Sequence, residues 1–154
     1  MELLIKFLIL VGTFFAMEFM AWFTHKYVMH GFLWFLHKDH HQPEKGWFER
    51  NDAFFVFYAV ISTLLFLSWA EGLFEYGLAM GLGILFYGIS YFAVHDVFIH
   101  RRLNWFRNSN HPYLRAIRKA HKVHHKHLGK EDGECFGMLI VPWKFYKEAK
   151  KAKP

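Results

Sequence analysis

The chain of 154 residues holds a single cysteine and four prolines, and nowhere do apolar and polar residues alternate for long. Each scarcity excludes something. A lone Cys135 forbids an intrachain disulfide, and with twelve histidines available it is not needed as a metal ligand, so packing is its expected role. Without sustained period-two alternation there is no signal for a half-buried sheet, and the expected fold is all-α. Neither a flavin nor a nicotinamide signature occurs, so any redox chemistry must take its electrons from a separate donor.

Charge is scarce in three places. Leu3 to Phe23 is apolar except for Lys6, Thr13 and Glu18, while Ala53–Ala70 and Gly77–Val94 carry no charge at all. At about 1.5 Å per residue, 18 helical residues cover about 27 Å, close to a bilayer's hydrocarbon core, so three transmembrane helices are expected over 3–23, 53–70 and 77–94. The first lacks the basic n-region and small-x-small cleavage site of a signal peptide. A single domain of 1–154 is expected, with polar histidine regions at 25–52 and 95–154. Basic residues are absent from Glu71–Tyr76, but four lie in 25–52 and fourteen in 95–154. The positive-inside rule then makes both histidine regions and the C-terminus cytoplasmic. The net charge of +6 fits membrane topology and attraction to anionic headgroups, and nucleic acid is not an expected partner. Lys144, Lys147, Lys150, Lys151 and Lys153 read as a solvated tail at the lipid surface.

Histidine is what the chain has in abundance. Ten of twelve fall into one pattern written twice, an H-x4-H pair followed by an H-x2-H-H triplet: His25, His30, His37, His40 and His41, then His95, His100, His121, His124 and His125. First-row metals accept about six ligands at most, so two ions with about five imidazoles each would use them all. In H-x2-H-H the rings share one helix face. In H-x4-H an ideal α-helix sets them about 140° apart, so each pair either divides between two metals or sits on a distorted turn. No breaker precedes Gly31 and then Pro43, so the first span can carry His25 and His30 beyond the bilayer, and Gly77–Val94 runs likewise into His95, Asp96 and His100. Asn104–Asn110 reads as a loop, and Asn110, His111 and Pro112 start a helix that Gly129 stops, carrying His121, His124 and His125. His111 and His127 fall outside the pattern and are expected at the surface.

Hydrolytic two-metal sites usually need bridging carboxylates, and transporters place ligands near the bilayer midplane. Histidines just beyond the helix ends suit oxygen activation better, with a lipid as substrate. The strings His25-Lys26-Tyr27-Val28-Met29-His30-Gly31, His37-Lys38-Asp39-His40-His41, Phe48-Glu49-Arg50-Asn51-Asp52, His95-Asp96-Val97-Phe98-Ile99-His100-Arg101 and His121-Lys122-Val123-His124-His125 resemble the motifs of bacterial-type β-carotene hydroxylases, in the fatty acid hydroxylase superfamily of membrane di-iron enzymes. The similarity covers nearly the whole chain, including Glu18 and Gly129-Lys130-Glu131. It implies two iron ions, with zinc as a substitute in purified protein, and O2 as co-substrate. It also implies 3-hydroxylation of β-ionone rings from β-carotene through β-cryptoxanthin to zeaxanthin, a ferredoxin-type electron donor, and residence in a bacterial inner membrane. The competing readings are carotenoid 4-ketolation, fatty-acyl or sterol hydroxylation, and a non-enzymatic membrane metal-binding protein.

A ligating imidazole normally donates its other N–H to a carboxylate or carbonyl, which makes Asp39 and Asp96 the first choices for supporting acids and Asn51, Asp52 and Glu131 weaker ones. Glu18 lies on nearly the same face as His25, about 10.5 Å deeper, where an acid is a functional candidate or pairs with a neighbouring helix. Gly133–Trp143 is apolar but too short to cross, and is expected to dip into the interface or cap the site. Trp22, Trp34, Phe35, Phe54, Phe55, Phe57, Tyr91 and Phe92 could line a slot for a polyene, but are read mainly as packing and interfacial belt, with no pocket assigned to them.

Overall fold

The computed structural model describes residues 1–103, 105 and 109–151, and these are all-helical with no strand among them. In chain order, α1 (Glu2–Phe23) continues into a π-helical segment, π1 (Thr24–Phe32), followed by α2 (Trp34–His41), α3 (Asp52–Ala70) and α4 (Gly77–Phe92). A second π segment, π2 (Ala93–Ile99), extends α4, and α5 (Pro112–His124) and α6 (Trp143–Lys151) complete the chain. Three continuous helices are long and apolar enough to cross a bilayer: Glu2–Phe32, Asp52–Ala70 and Gly77–Ile99. They mark a membrane protein, and side chains such as Leu3, Phe7, Val56 and Leu64 face outward as its lipid surface.

Small residues on α4 let it sit between the other two spans. Gly83 shows why: a Cβ there would lie 2.7 Å from the Leu10 carbonyl oxygen of α1, so any larger residue would push the helices apart. Met17, Ile84 and Tyr87 form the buried centre of the bundle, with Phe14, Tyr58, Ile61 and Leu65 packed around them. Because α4 packs against both α1 and α3, the latter two face each other across a gap.

The C-terminal elements fold beneath the histidines. Ala116 and Ala120 of α5 pack on Phe145 and Ala149 of α6, with Cys135 against the same cluster as a free thiol. The lysine-rich tail is therefore the exposed face of an amphipathic helix rather than free chain, with Lys144, Lys147, Lys150 and Lys151 outward; Lys153 lies outside the described residues. So do residues 104 and 106–108 of the expected loop. Helix α5 stops at His124, before the Gly129 signal. The chain tightens there through i→i+3 bonds from Lys126 N to Val123 O and from His127 N to His124 O, which turn the following carbonyls toward the site.

Candidate metal centre

The two π segments settle how an H-x4-H pair is presented. In π1 the Leu33 N–H bonds the Val28 carbonyl, and in π2 the His100 N–H bonds the His95 carbonyl, each five residues back. The wider turn stacks residue i+5 over residue i, as an α-helix stacks i+4. His25 therefore stands beside His30, and His95 beside His100, with ring centroids 5.3 and 4.5 Å apart. The turn is the distorted one, and the two rings of each pair lie within one cluster. At Gly31 (φ −105°, ψ −125°) the chain breaks from helix and folds α2 back, so that His37 and His41 meet His25 and His30.

The ten rings gather into two sets. His25, His30, His37, His41 and His124 bring one nitrogen each to within 4.8 Å of one another, as do His40, His95, His100 and His121. His125 joins the second set, its Nε2 3.2 Å from that of His40. The sets do not follow chain order, because the middle histidine of each triplet crosses over: His40 stands with the second copy and His124 with the first. They adjoin where His41 and His125 stack at 4.5 Å.

The geometry fits metal ions. With imidazole nitrogens about 2.1 Å from a metal, ligands at right angles lie about 3.0 Å apart and opposed ones about 4.2 Å. Adjacent Nε2 atoms here are 3.1 Å apart for His25 and His37, 3.0 Å for His41 and His124, 3.0 Å for His40 and His95, and 2.8 Å for His100 and His121. Proton counting makes the same point. All five Nδ1 atoms of the first set face an oxygen that can only accept: the carbonyls of Phe136, Lys130, His127 and Glu134, and Oδ1 of Asn51. A neutral imidazole has one N–H, so each Nδ1 donates outward and the Nε2 lone pairs face each other with no proton between them. A cation is what such an arrangement accommodates.

Burial and mutual repulsion favour the neutral form of the rings outside the membrane spans. Desolvation pushes His41 down to about 4, His125 to about 3, and His37 and His124 to about 2, while His40, His100 and His121 move the same way. An exposed imidazole titrates near about 6.5, so between that pH and the folded values the unfolded chain binds more protons. Stability of chelator-treated protein is thus expected to be level above pH 6.5 and to fall as pH drops toward 4, and metal is expected to leave over the same window. Thermal midpoints unchanged from pH 7.5 to 5 would contradict this.

A model of the fatty acid hydroxylase family matches residues 10–145, nearly the full length and all ten histidines. The chain belongs to that family. It is 39% identical over 135 residues to the β-carotene hydroxylase of Pantoea ananas, covering 88% of this chain and 77% of the relative. It is 37% identical over 139 residues to that of Pseudescherichia vulneris, covering 90% and 78%. The chloroplastic β-carotene 3-hydroxylase 2 of Arabidopsis thaliana is 37% identical over 146 residues, covering 92% of this chain and 47% of the longer plant chain. No solved structure matches the chain significantly.

Within this family member the supporting acids are arranged differently from their order in sequence. Asp96 Oδ2 faces His95 Nδ1 at 3.2 Å, and its Oδ1 accepts from Arg102 Nε at 3.1 Å. Asp39 bonds no imidazole: Oδ2 accepts from the Arg50 N–H at 2.6 Å, so it anchors the 44–52 loop, and Oδ1 is buried without a partner among the described residues. Its helical neighbours His37, His40 and His41 point into the histidine clusters, and Asp39 therefore points away from them. The loop it anchors brings Asn51 to His37 at 2.7 Å and Glu49, a residue not singled out from the sequence, to His40 at 2.8 Å. Asp52 and Glu49 also pair with Arg102, which had given no sequence signal. Burial raises the Glu49 carboxyl, and Arg102 opposes the rise. Glu131 is exposed, and the neighbouring Lys130 supplies the useful carbonyl. His111 is exposed, and His127 contributes its backbone carbonyl rather than its ring.

The second set alone is backed by carboxylates, Glu49 and Asp96, which raise ligand basicity. Asp96→Asn and Glu49→Gln keep reach but lose charge, and each is expected to lower metal affinity about 10- to 100-fold. Wild-type affinity by competition with a chelator would mean that these acids serve Arg102 alone.

The gap between α1, α3 and α4 encloses an apolar cavity of about 490 Å³ that reaches from the bundle's middle to His25. Phe54, Phe55, Tyr91 and Phe92 line it, the slot-lining role that the sequence reading set second to packing; Trp34 packs on His30, His37 and His41, while Phe35 and Phe57 are exposed. Over the site lies the 133–143 segment. Glu18 holds it, accepting from the N–H groups of Met138, Leu139 and Ile140 and from the Tyr87 hydroxyl. The segment thus both dips to the depth of Glu18 and caps the imidazoles.

Proposed function

We propose that the protein hydroxylates the β-ionone rings of carotenoids at C3, converting β-carotene through β-cryptoxanthin to zeaxanthin. The observation that carries this reading is the cavity: an apolar slot among membrane helices that ends at His25 suits a long hydrocarbon drawn from the bilayer. The relatives named for β-carotene hydroxylation support the same substrate.

Two iron ions would be held by His25, His30, His37, His41 and His124 and by His40, His95, His100, His121 and His125; when bound, they supply the O2 activation that breaks an unactivated C–H bond. Zinc suits the same donors and would give a filled but inactive centre. The chain's own contribution is placement. Outward Nδ1 bonds hold each ring's orientation, Glu49 and Asp96 add negative charge behind His40 and His95, and the apolar walls keep water from the reacting carbon. Electrons come from a ferredoxin-type donor, and exposed Lys38, Lys122 and Lys126 beside the histidine triplets give an acidic protein a docking face. The protein resides in a bacterial inner membrane with the metal centre and C-terminus cytoplasmic. A reporter after Pro154 is then expected on the cytoplasmic side and one near Gly72 on the opposite side; both on one side would overturn the orientation.

Expression in cells that make β-carotene, together with a ferredoxin and its reductase, tests the activity. Zeaxanthin with some β-cryptoxanthin is the expected product. Canthaxanthin would show a ketolase, and unchanged β-carotene beside a working control enzyme would remove carotenoids as substrates.

A further inference from the structure

We propose that the hydroxyls of Thr24 and Tyr58 form a subsite for ring oxygen, holding the hydroxyl of a carotenoid ring once it has been made. The inference rests on the carotenoid reading above and assigns a chemical role to one corner of the cavity.

The cavity walls are mostly apolar, and several of their hydroxyls are already occupied. Ser62 donates to the Gly81 carbonyl, Thr63 to the Ala59 carbonyl and Tyr87 to Glu18. Thr24 Oγ1 and Tyr58 OH lie 2.7 Å apart and, among the described residues, bond only each other. Each hydroxyl carries one proton and two lone pairs. A bond between them uses one of the two protons, so the other has no acceptor whichever residue donates. The pair therefore offers one unused O–H and spare lone pairs to the cavity that both residues line.

Its position gives that proton a purpose. Thr24 opens π1 directly before His25, while Tyr58 projects from α3 on the facing wall, so their bond bridges the slot at its reactive end. A hydrocarbon ring offers the pair nothing, and the free proton stays unmet. A ring bearing a hydroxyl can accept from the pair and donate to it. The same edge of the cavity would thus distinguish an oxygenated ring from a bare one without any charged group.

The test is a ratio of affinities within each protein. Metal-loaded protein in lipid nanodiscs is titrated with β-carotene, β-cryptoxanthin and zeaxanthin, and binding is read from quenching of tryptophan fluorescence, Trp47 being in the cavity wall. One net hydrogen bond corresponds to about a three- to tenfold preference, so wild-type is expected to hold zeaxanthin that much more tightly than β-carotene. Thr24→Val with Tyr58→Phe keeps the shapes and removes both hydroxyls, and is expected to bring the ratio to about one. Each single variant leaves one hydroxyl and should fall between. Equal wild-type affinities overturn the proposal, as does a double variant that loses thermal stability yet keeps the preference, since the bond is then only a brace between helices. If none of the three carotenoids binds wild-type protein, the functional reading itself fails.

Discussion

Replacing His124 and His37 together with Ala is expected to remove one metal ion and leave the other, whereas replacing His124 and His121 together removes both. The expectation follows from the crossing of the triplets. His124 is fully buried on α5, yet its Nε2 lies 3.0 Å from His41 and its Nδ1 is held by the Glu134 carbonyl. His37 belongs to the same set, and His121, one turn before His124, belongs to the other. A partition by chain order predicts the reverse, with the first pair of changes striking both ions and the second only one. Metal content of iron-loaded protein, about two ions per chain in wild-type by the ligand count, separates the alternatives. Hydroxylation should be undetectable in both double variants, because removing a donor from a buried set leaves an ion held too loosely and too openly to act with its neighbour. By contrast, His111→Ala and His127→Ala should leave metal content near two, since the first ring is exposed and the second residue acts through a carbonyl that alanine retains. A centre that loses metal with His127→Ala would require a different ligand set.

That crossing arises from tertiary packing, which the spacing of the histidines does not encode. The ten histidines were legible because their spacing repeats, and the three spans because a charge-free helix of 18 residues has few other uses. The partner of each ring was not legible. The 140° separation assigned to His25 and His30 presupposes α geometry, and the π turn cancels it. Asp39 attracted notice because it lies between ligands in sequence, but on α2 that very placement turns it away from them. Glu49 and Asn51 reach His40 and His37 only because the loop after α2 returns over the site, a fold-back that no periodicity encodes. Of the acids judged by adjacency, Asp96 alone meets its neighbour's ring, and it does so on a π turn.

Glu18→Ala is the substitution expected to cost most among residues that touch no metal ligand. Its carboxylate accepts from three successive backbone N–H groups, those of Met138, Leu139 and Ile140, about 120 residues along the chain, and from the Tyr87 hydroxyl at 2.8 Å. It is 7% exposed and sits inside the first membrane span, where no bulk water can replace it. Each hydrogen bond to a charged acceptor is worth about 1.5–3 kcal/mol, so losing several at once should lower stability by on the order of 3 kcal/mol or more. The loss should reach the metals along a definite route. The segment that Glu18 secures carries the Glu134 and Phe136 carbonyls to His124 and His25, both in the first set and neither in the second. Freed from its anchor, it lets those two rings turn, so metal content should fall from about two ions toward one, the ion lost being the one that His124 serves. Glu18→Gln keeps one carbonyl oxygen for the N–H groups and a polar contact for Tyr87, and should lie between wild-type and Ala in thermal midpoint and in metal content. Hydrogen exchange of the 133–143 backbone gives the direct check, with protection of Met138 to Ile140 lost in the Ala variant. Retained protection with two ions bound would show that the segment is held by its own packing and that the buried carboxylate does not position the centre.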